Sequence, residues 1–127
     1  MIVTKSQKYA DSTFSQISTY LKNVEELRTK KYKGLCKRAG GLLRTMGLIQ
    51  FLVYLQSKGM KPAEIHHADL LSQLQASAST HGISNAKDVE SFIEWVRTQN
   101  VPKYMQATRE ILSLLYWHKQ LSDVLIE

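Results

Sequence analysis

Four histidines, one cysteine and eleven carboxylates are the residues of this 127-residue chain that could do acid–base, nucleophilic or metal chemistry. His66 and His67 are neighbours, so on a helix they point ~100° apart and cannot chelate one ion by themselves. No other His stands three or four residues from either, and HExxH is absent. His67 shares a face with Leu70, Leu71 and Leu74, and His118 lies between Leu114 and Leu121. Both read as half-buried packing residues that hold a hydrogen bond. His81 stands in a polar stretch with no partner in sequence. Cys36, beside Leu35 on an apolar face, reads as a small buried hydrophobe; Lys33 and Lys37 would lower its thiol pKa only if it were exposed. Asp88, Glu90 and Glu94 fall on one helix as a solvated or partner-facing surface, not an acid/base pair. Neither GxxxxGK[ST] nor GxGxxG occurs. These residues predict no enzyme active site, no metal site, no cofactor and no small-molecule substrate.

The cations are placed differently. Seventeen Lys and Arg against eleven Asp and Glu give a net charge of +6. Nine of the basic residues lie between Leu27 and Pro62, where there is no acid; the rest of the chain, with 8 basic and 11 acidic residues, sums to −3. On a helix from Lys30 to Met46, Tyr32, Leu35, Cys36, Ala39, Leu43 and Met46 share an apolar face. Lys30, Lys33, Lys37 and Arg44 fall within about 60° on another. Lys31 and Arg38 form a second row on the opposite flank. A stripe of cations along ~20 Å of helix suits a phosphate backbone better than a small anion. An inert solubilising face normally mixes signs, and this one does not. With Tyr32 as the segment's only stacking residue and no Asn in it, phosphate contact and shape recognition are expected over base reading. The acidic surface at Asp88 to Glu94, beside Trp95, could receive the basic face of a second copy head to tail.

The elements that position these groups read as helices. Two prolines, six glycines and no sustained period-2 alternation argue against sheet. Ala10, Phe14, Ile17, Leu21 and Val24 predict a helix over about residues 7–28. The next runs over about 30–39 and is interrupted by Gly40-Gly41 before resuming. The run 47–56, apolar almost all round, predicts a central buried helix that ends at Lys58-Gly59. Pro62 opens a helix with Leu70, Leu71, Leu74 and Ala78 inward, and Ser84 or Asn85 caps one with Val89, Phe92, Ile93 and Val96 inward. Asn100 breaks that helix, and Pro102 opens a long last one carrying Ala107, Ile111, Leu114, Leu121 and Leu125. Six helices with short connections predict an all-α, compact single-domain bundle over residues 1–127. A single Cys excludes an internal disulfide and fits a reducing compartment. With no bilayer-length apolar run and no apolar core near the N-terminus, the expectation is a cytoplasmic protein without membrane contact.

Two runs carry a family resemblance. KKYKGLCKRAGGLLRTMGLIQFLVYLQSKG (30–59) is similar to the signature of the small subunit of the type III-B CRISPR Cmr effector complex. That signature has a Leu-Arg-Thr-x-Gly-Leu step, here Leu43, Arg44, Thr45, Met46, Gly47 and Leu48. YMQATREILSLLYWHKQLSDVL (104–125) resembles the family's last helix through Thr108, Glu110, Leu114, Leu115 and Trp117. The chain departs from the pattern at Gly40-Gly41, where a Pro-containing step is usual, and at Met46, where Asn is frequent. The resemblance implies a small all-α protein with no catalysis of its own. Its partners would be the other Cmr subunits, copies of itself stacked as a minor filament, and the guide and target RNA lying in a groove lined by the basic face. The first phosphate-contacting residues would be Lys30, Lys33, Lys37 and Arg44, with Lys31 and Arg38 second. Arg44 has another reading, as an internal brace at the helix junction. The alternatives are a small subunit of another CRISPR class, or a helical protein–protein adaptor whose basic face meets an acidic partner. A stand-alone duplex-binding regulator is disfavoured, because neither a helix-turn-helix turn nor a dimerising heptad is present.

Overall fold

The computed structural model describes residues 3–127. It is built from α1 (Lys5–Asn23), α2 (Glu26–Met46), α3 (Leu48–Gly59), a 3-10 turn (Pro62–Glu64), α4 (His66–Thr80), α5 (Val89–Arg97) and α6 (Val101–Leu125). No strand occurs among the described residues, so the expected all-α bundle of six helices is what forms. α6 lies along both α1 and α2, and α4 packs against α2 and α3. None of the described helices is long and apolar enough to cross a membrane.

Local chemistry sets most helix ends. Thr4 caps α1 reciprocally with Gln7: Gln7 N–H donates to Thr4 Oγ1 at 3.1 Å, and Thr4 N–H donates to Gln7 Oε1 at 2.8 Å. α1 stops at Asn23, short of the expected residue 28, because Val24 and Glu25 are extended. The Asn23 amide donates to the Thr19 carbonyl and satisfies one of the freed acceptors there. α2 runs unbroken through Gly40-Gly41, against the expected interruption. A glycine in mid-helix costs only ~1 kcal/mol, and the packing of Ala39 and Leu43 on either side outweighs that. Pro62 starts a 3-10 turn, and the α-helix begins only at His66. The cap of α5 is Asp88, which accepts from Ser91 N–H at 2.7 Å, and not Ser84 or Asn85. Pro102 stands in the first turn of α6, as expected, and Asn100, expected only to break the preceding helix, caps it.

The core face of α2 is the expected one, with Tyr32, Leu35, Cys36, Ala39 and Leu43 buried. That of α1 is not. Tyr9, Thr13, Ile17 and Tyr20 point inward, whereas Phe14 is 48% exposed. α3 buries Leu48, Phe51, Leu52 and Leu55 but leaves Val53 exposed and Ile49 and Tyr54 half-buried, so it is less central than its composition implies. Gly59 is where α3 meets α4: a Cβ there would stand 2.6 Å from the Ala68 methyl.

Candidate nucleic-acid interface

Because α2 turns its apolar side inward, its cations face solvent on two separate flanks. One flank meets α6. There Lys30, Lys33, Gly34 and Lys37 line a groove of about 450 Å³ with Lys119, Gln120, Ser122 and Asp123. The groove continues as a smaller cleft of about 140 Å³ between Lys37, Gly40, Gly41 and Arg44 on α2 and Leu112, Tyr116, Lys119 and Gln120 on α6. Lys30, Lys33, Lys37 and Arg44 therefore share one surface. Lys31 and Arg38 lie on the other flank, where the Lys31 ammonium donates to the Ala63 carbonyl at 3.1 Å.

The side chains on the groove are not equally free. Lys30 pairs with Glu26 at 3.2 Å in an exposed i,i+4 contact, worth at most about 0.5 kcal/mol. Lys33 donates to the Ile126 carbonyl at 2.8 Å and ties α2 to the end of α6. Lys37, Arg44 and Lys119 are exposed and make no ion pair among the described residues. The groove is also less uniformly basic than the 27–62 window implies, since Glu26 stands at one end and Asp123 contributes from α6. Lys119 carries no local sequence signal, because only the packing of α6 along α2 brings it to this surface.

Other charged groups hold the scaffold together. Arg28 clasps Asp69 of α4 twice, Nε to Oδ2 at 2.8 Å and Nη2 to Oδ1 at 2.6 Å, and the Tyr20 hydroxyl donates to Oδ2 at 2.6 Å. The hydrogen bond to Asp69 holds the guanidinium well above its ordinary pKa. Burial, reinforced by Asp69, pushes the Tyr20 phenol up. Glu110 of α6 receives Tyr9 and, at 3.0 Å, Lys5, so this signature residue fastens α6 to α1. Of the α5 acids, Asp88 caps its own helix and Glu94 pairs with Arg97 at 2.5 Å. Only Glu90 is uncommitted among that expected docking set.

The groups first weighed for chemistry are mostly sequestered. Burial pushes the Cys36 thiol up to about 12, which removes it as a nucleophile at neutral pH. His118 is not half-buried but fully enclosed, and burial lowers its pKa to about 4. Its Nδ1 lies 3.2 Å from the Tyr32 hydroxyl, which directs its own proton to Gln73 Oε1. His67 is likewise buried. His81 finds partners from α1: Ser12 Oγ at 2.8 Å from its Nε2, and the Tyr9 ring at 4.6 Å between centroids.

The family profile described as CRISPR-associated protein (Cas_Cmr5) matches residues 5–125, nearly the whole chain. This chain belongs to the Cmr5 family. That is the small-subunit family of the type III-B Cmr complex, and the other CRISPR classes are set aside. A relative from Thermus thermophilus, the CRISPR system Cmr subunit Cmr5, is 24% identical over 124 residues, covering 98% of this chain and 97% of that protein. The crystal structure of a CRISPR-associated Cmr5 family protein from the same organism superposes with a TM-score of 0.80 at 27% identity, covering 99% of this chain and 100% of that one. Within this Cmr5-family fold the Leu-Arg-Thr-x-Gly-Leu step marks the α2–α3 junction. Gly47 there has φ +85°, a left-handed conformation that favours glycine. The brace at this junction is Tyr104, whose hydroxyl accepts Ile49 N–H at 3.1 Å. Arg44, the residue the sequence offers for that role, lines the α2–α6 cleft together with Lys119.

Proposed function

We propose that this chain is a non-catalytic, cytoplasmic subunit of the Cmr ribonucleoprotein that tracks RNA phosphates along the α2–α6 groove. Copies stack as a minor filament so that successive grooves follow the guide–target duplex. The observation that carries this reading is the convergence of Lys37, Arg44 and Lys119 on one open groove without an ion-pair partner among the described residues. Lys30 and Lys33 extend it, and Lys31 and Arg38 form a separate, weaker flank. A protein subunit meeting this surface would need matching acids at helical spacing, whereas a phosphate backbone supplies one charge per few ångströms without further design. Three cations per copy bind weakly alone, and stacking multiplies them.

The test is reconstitution of the complex with a Lys37→Ala/Arg44→Ala/Lys119→Ala chain, followed by target-RNA binding across a salt series. The log–log salt slope is expected to fall by about 2–3 per replaced copy, at ~0.7–0.9 per lost phosphate contact. An unchanged slope in a complex that still contains the altered subunit would overturn the groove assignment.

A further inference from the structure

A second cluster, at the start of α4, has no part in the RNA reading. Glu64, the last residue of the 3-10 turn, curls back over the adjacent His66 and His67. One of its carboxylate oxygens, Oε2, lies 3.3 Å from His67 Nδ1 and 3.6 Å from His66 Nε2. His67 Nδ1–H also donates to the Glu64 backbone carbonyl at 2.9 Å. The potential ligand atoms of the three side chains all lie within 4.8 Å of one another. Both imidazoles are buried, with side-chain exposures of 6% and 2%, and Glu64 forms the open side at 36%.

The 3.3 and 3.6 Å separations from the carboxylate are too long for good hydrogen bonds from ring nitrogen to carboxylate, which run about 2.7–3.0 Å. They match the edges of a coordination polyhedron. Donors about 2.0–2.1 Å from a shared ion stand roughly 2.9–3.6 Å from each other for bond angles of about 90–120°. The opposite ring nitrogens, His66 Nδ1 and His67 Nε2, are buried without any partner. Each imidazole therefore has one nitrogen with polar company, and both of those nitrogens converge on Glu64. We propose that Glu64, His66 and His67 form a binding site for a transition-metal dication of the zinc class, the ion displacing the His67 Nδ1 proton as it binds.

Two imidazoles and a carboxylate favour zinc, copper or nickel over magnesium or calcium. His66 enters as the neutral ligand: burial, then the neighbouring His67, hold its pKa below the ordinary value. Lys31 and Arg38 of α2 lie close enough to act on His66 and oppose a cation, and Glu64 is the one acid set against them. Bound there, the ion clips the 3-10 turn to the first turn of α4 and adds positive charge to the Lys31/Arg38 flank.

The experiment uses the untagged full chain, stripped with chelator and then titrated with zinc by calorimetry and with cobalt by visible absorption. One ion per chain is expected, with the d–d bands of a low-coordinate nitrogen/oxygen site. Glu64→Gln and His66→Gln should each weaken binding more than tenfold, while circular dichroism verifies that helicity is kept. His81→Gln should leave it unchanged. Absence of binding up to millimolar metal would overturn the site, as would affinity unaltered in both Glu64→Gln and His66→Gln, which would mark an adventitious ion only. Loss of binding on His81→Gln would overturn it too.

Discussion

Asp69 is the residue whose removal should damage the fold most for the fewest atoms lost. It receives three hydrogen bonds, two from Arg28 at 2.8 and 2.6 Å and one from Tyr20 at 2.6 Å, and so links α1, α2 and α4. An exposed pair of this kind would contribute up to about 1 kcal/mol, and breaking a fully buried one costs about 3–5 kcal/mol. With side chains 30% and 16% exposed, Asp69→Ala lies between these limits, at about 2–3 kcal/mol. The orphaned guanidinium regains some water, while the Tyr20 hydroxyl loses its acceptor in a half-closed site. At ~3–5 °C per kcal/mol for a domain of this size, the melting temperature should drop by about 6–15 °C. A double-mutant cycle with Arg28→Met, followed by urea denaturation, isolates the pair and should give a coupling of about 1–2 kcal/mol. Glu26→Ala, which removes the exposed partner of Lys30, should change stability by less than ~0.5 kcal/mol. If Asp69→Ala cost under ~1 kcal/mol, or the coupling were below ~0.5 kcal/mol, the clasp would be a surface contact and the reasoning would fail.

Four further outcomes follow from buried groups and from glycines. His118 has a folded pKa of about 4 against ~6.5 when unfolded, so the unfolded chain binds the extra proton and stability falls as pH drops from about 6.5 to 4, by about 3 kcal/mol in all. His118→Gln should flatten that part of a urea-midpoint-versus-pH curve. Cys36, fully buried with its thiol raised to about 12, should resist a thiol reagent in native buffer and react fully in denaturant; rapid native labelling would contradict its placement. Gly59→Ala should cost about 1–3 kcal/mol, because its methyl meets Ala68 backbone at 2.7 Å. Gly41→Ala, with open space around it, should raise stability by ~0.5–1 kcal/mol, both read by thermal melting.

How much of this was legible in sequence depended on whether the informative partner was near in the chain. The inward face of α2 was, since Tyr32, Leu35, Cys36, Ala39 and Leu43 form an unmixed stripe. The inward face of α1 is displaced by one position from its apolar stripe for a chemical reason. Tyr9, Thr13 and Tyr20 carry hydroxyls, and two of them can be buried only because Glu110 and Asp69, far along the chain, accept their protons. The apolar Phe14 is left facing water. Four cations of the groove follow from helical phase, but Lys119 does not, because periodicity within α2 says nothing about which helix lies beside it. The third member of the histidine cluster escapes sequence reading for another reason. Helical angles place His66 and His67 apart, whereas Glu64 belongs to a 3-10 turn whose tighter winding brings it over both rings.

The packing of α6 along α1 and α2 bears on how the chain is made as well as on how it stands. Of the described helices, α1 is made first and α6 last, and α1 has its main partner in α6. About 80 residues separate the end of α1 from the start of α6, or ~4–16 s of synthesis at ~5–20 residues per second. Through that interval the faces of α1 and α2 that α6 finally covers lack their partner. Vectorial growth therefore presents a partly open sheaf of helices, and closure is a late step that waits for α6. Ribosome-bound chains halted before Val101 should accordingly engage holding chaperones, and chains extended past Glu127 should be released from them.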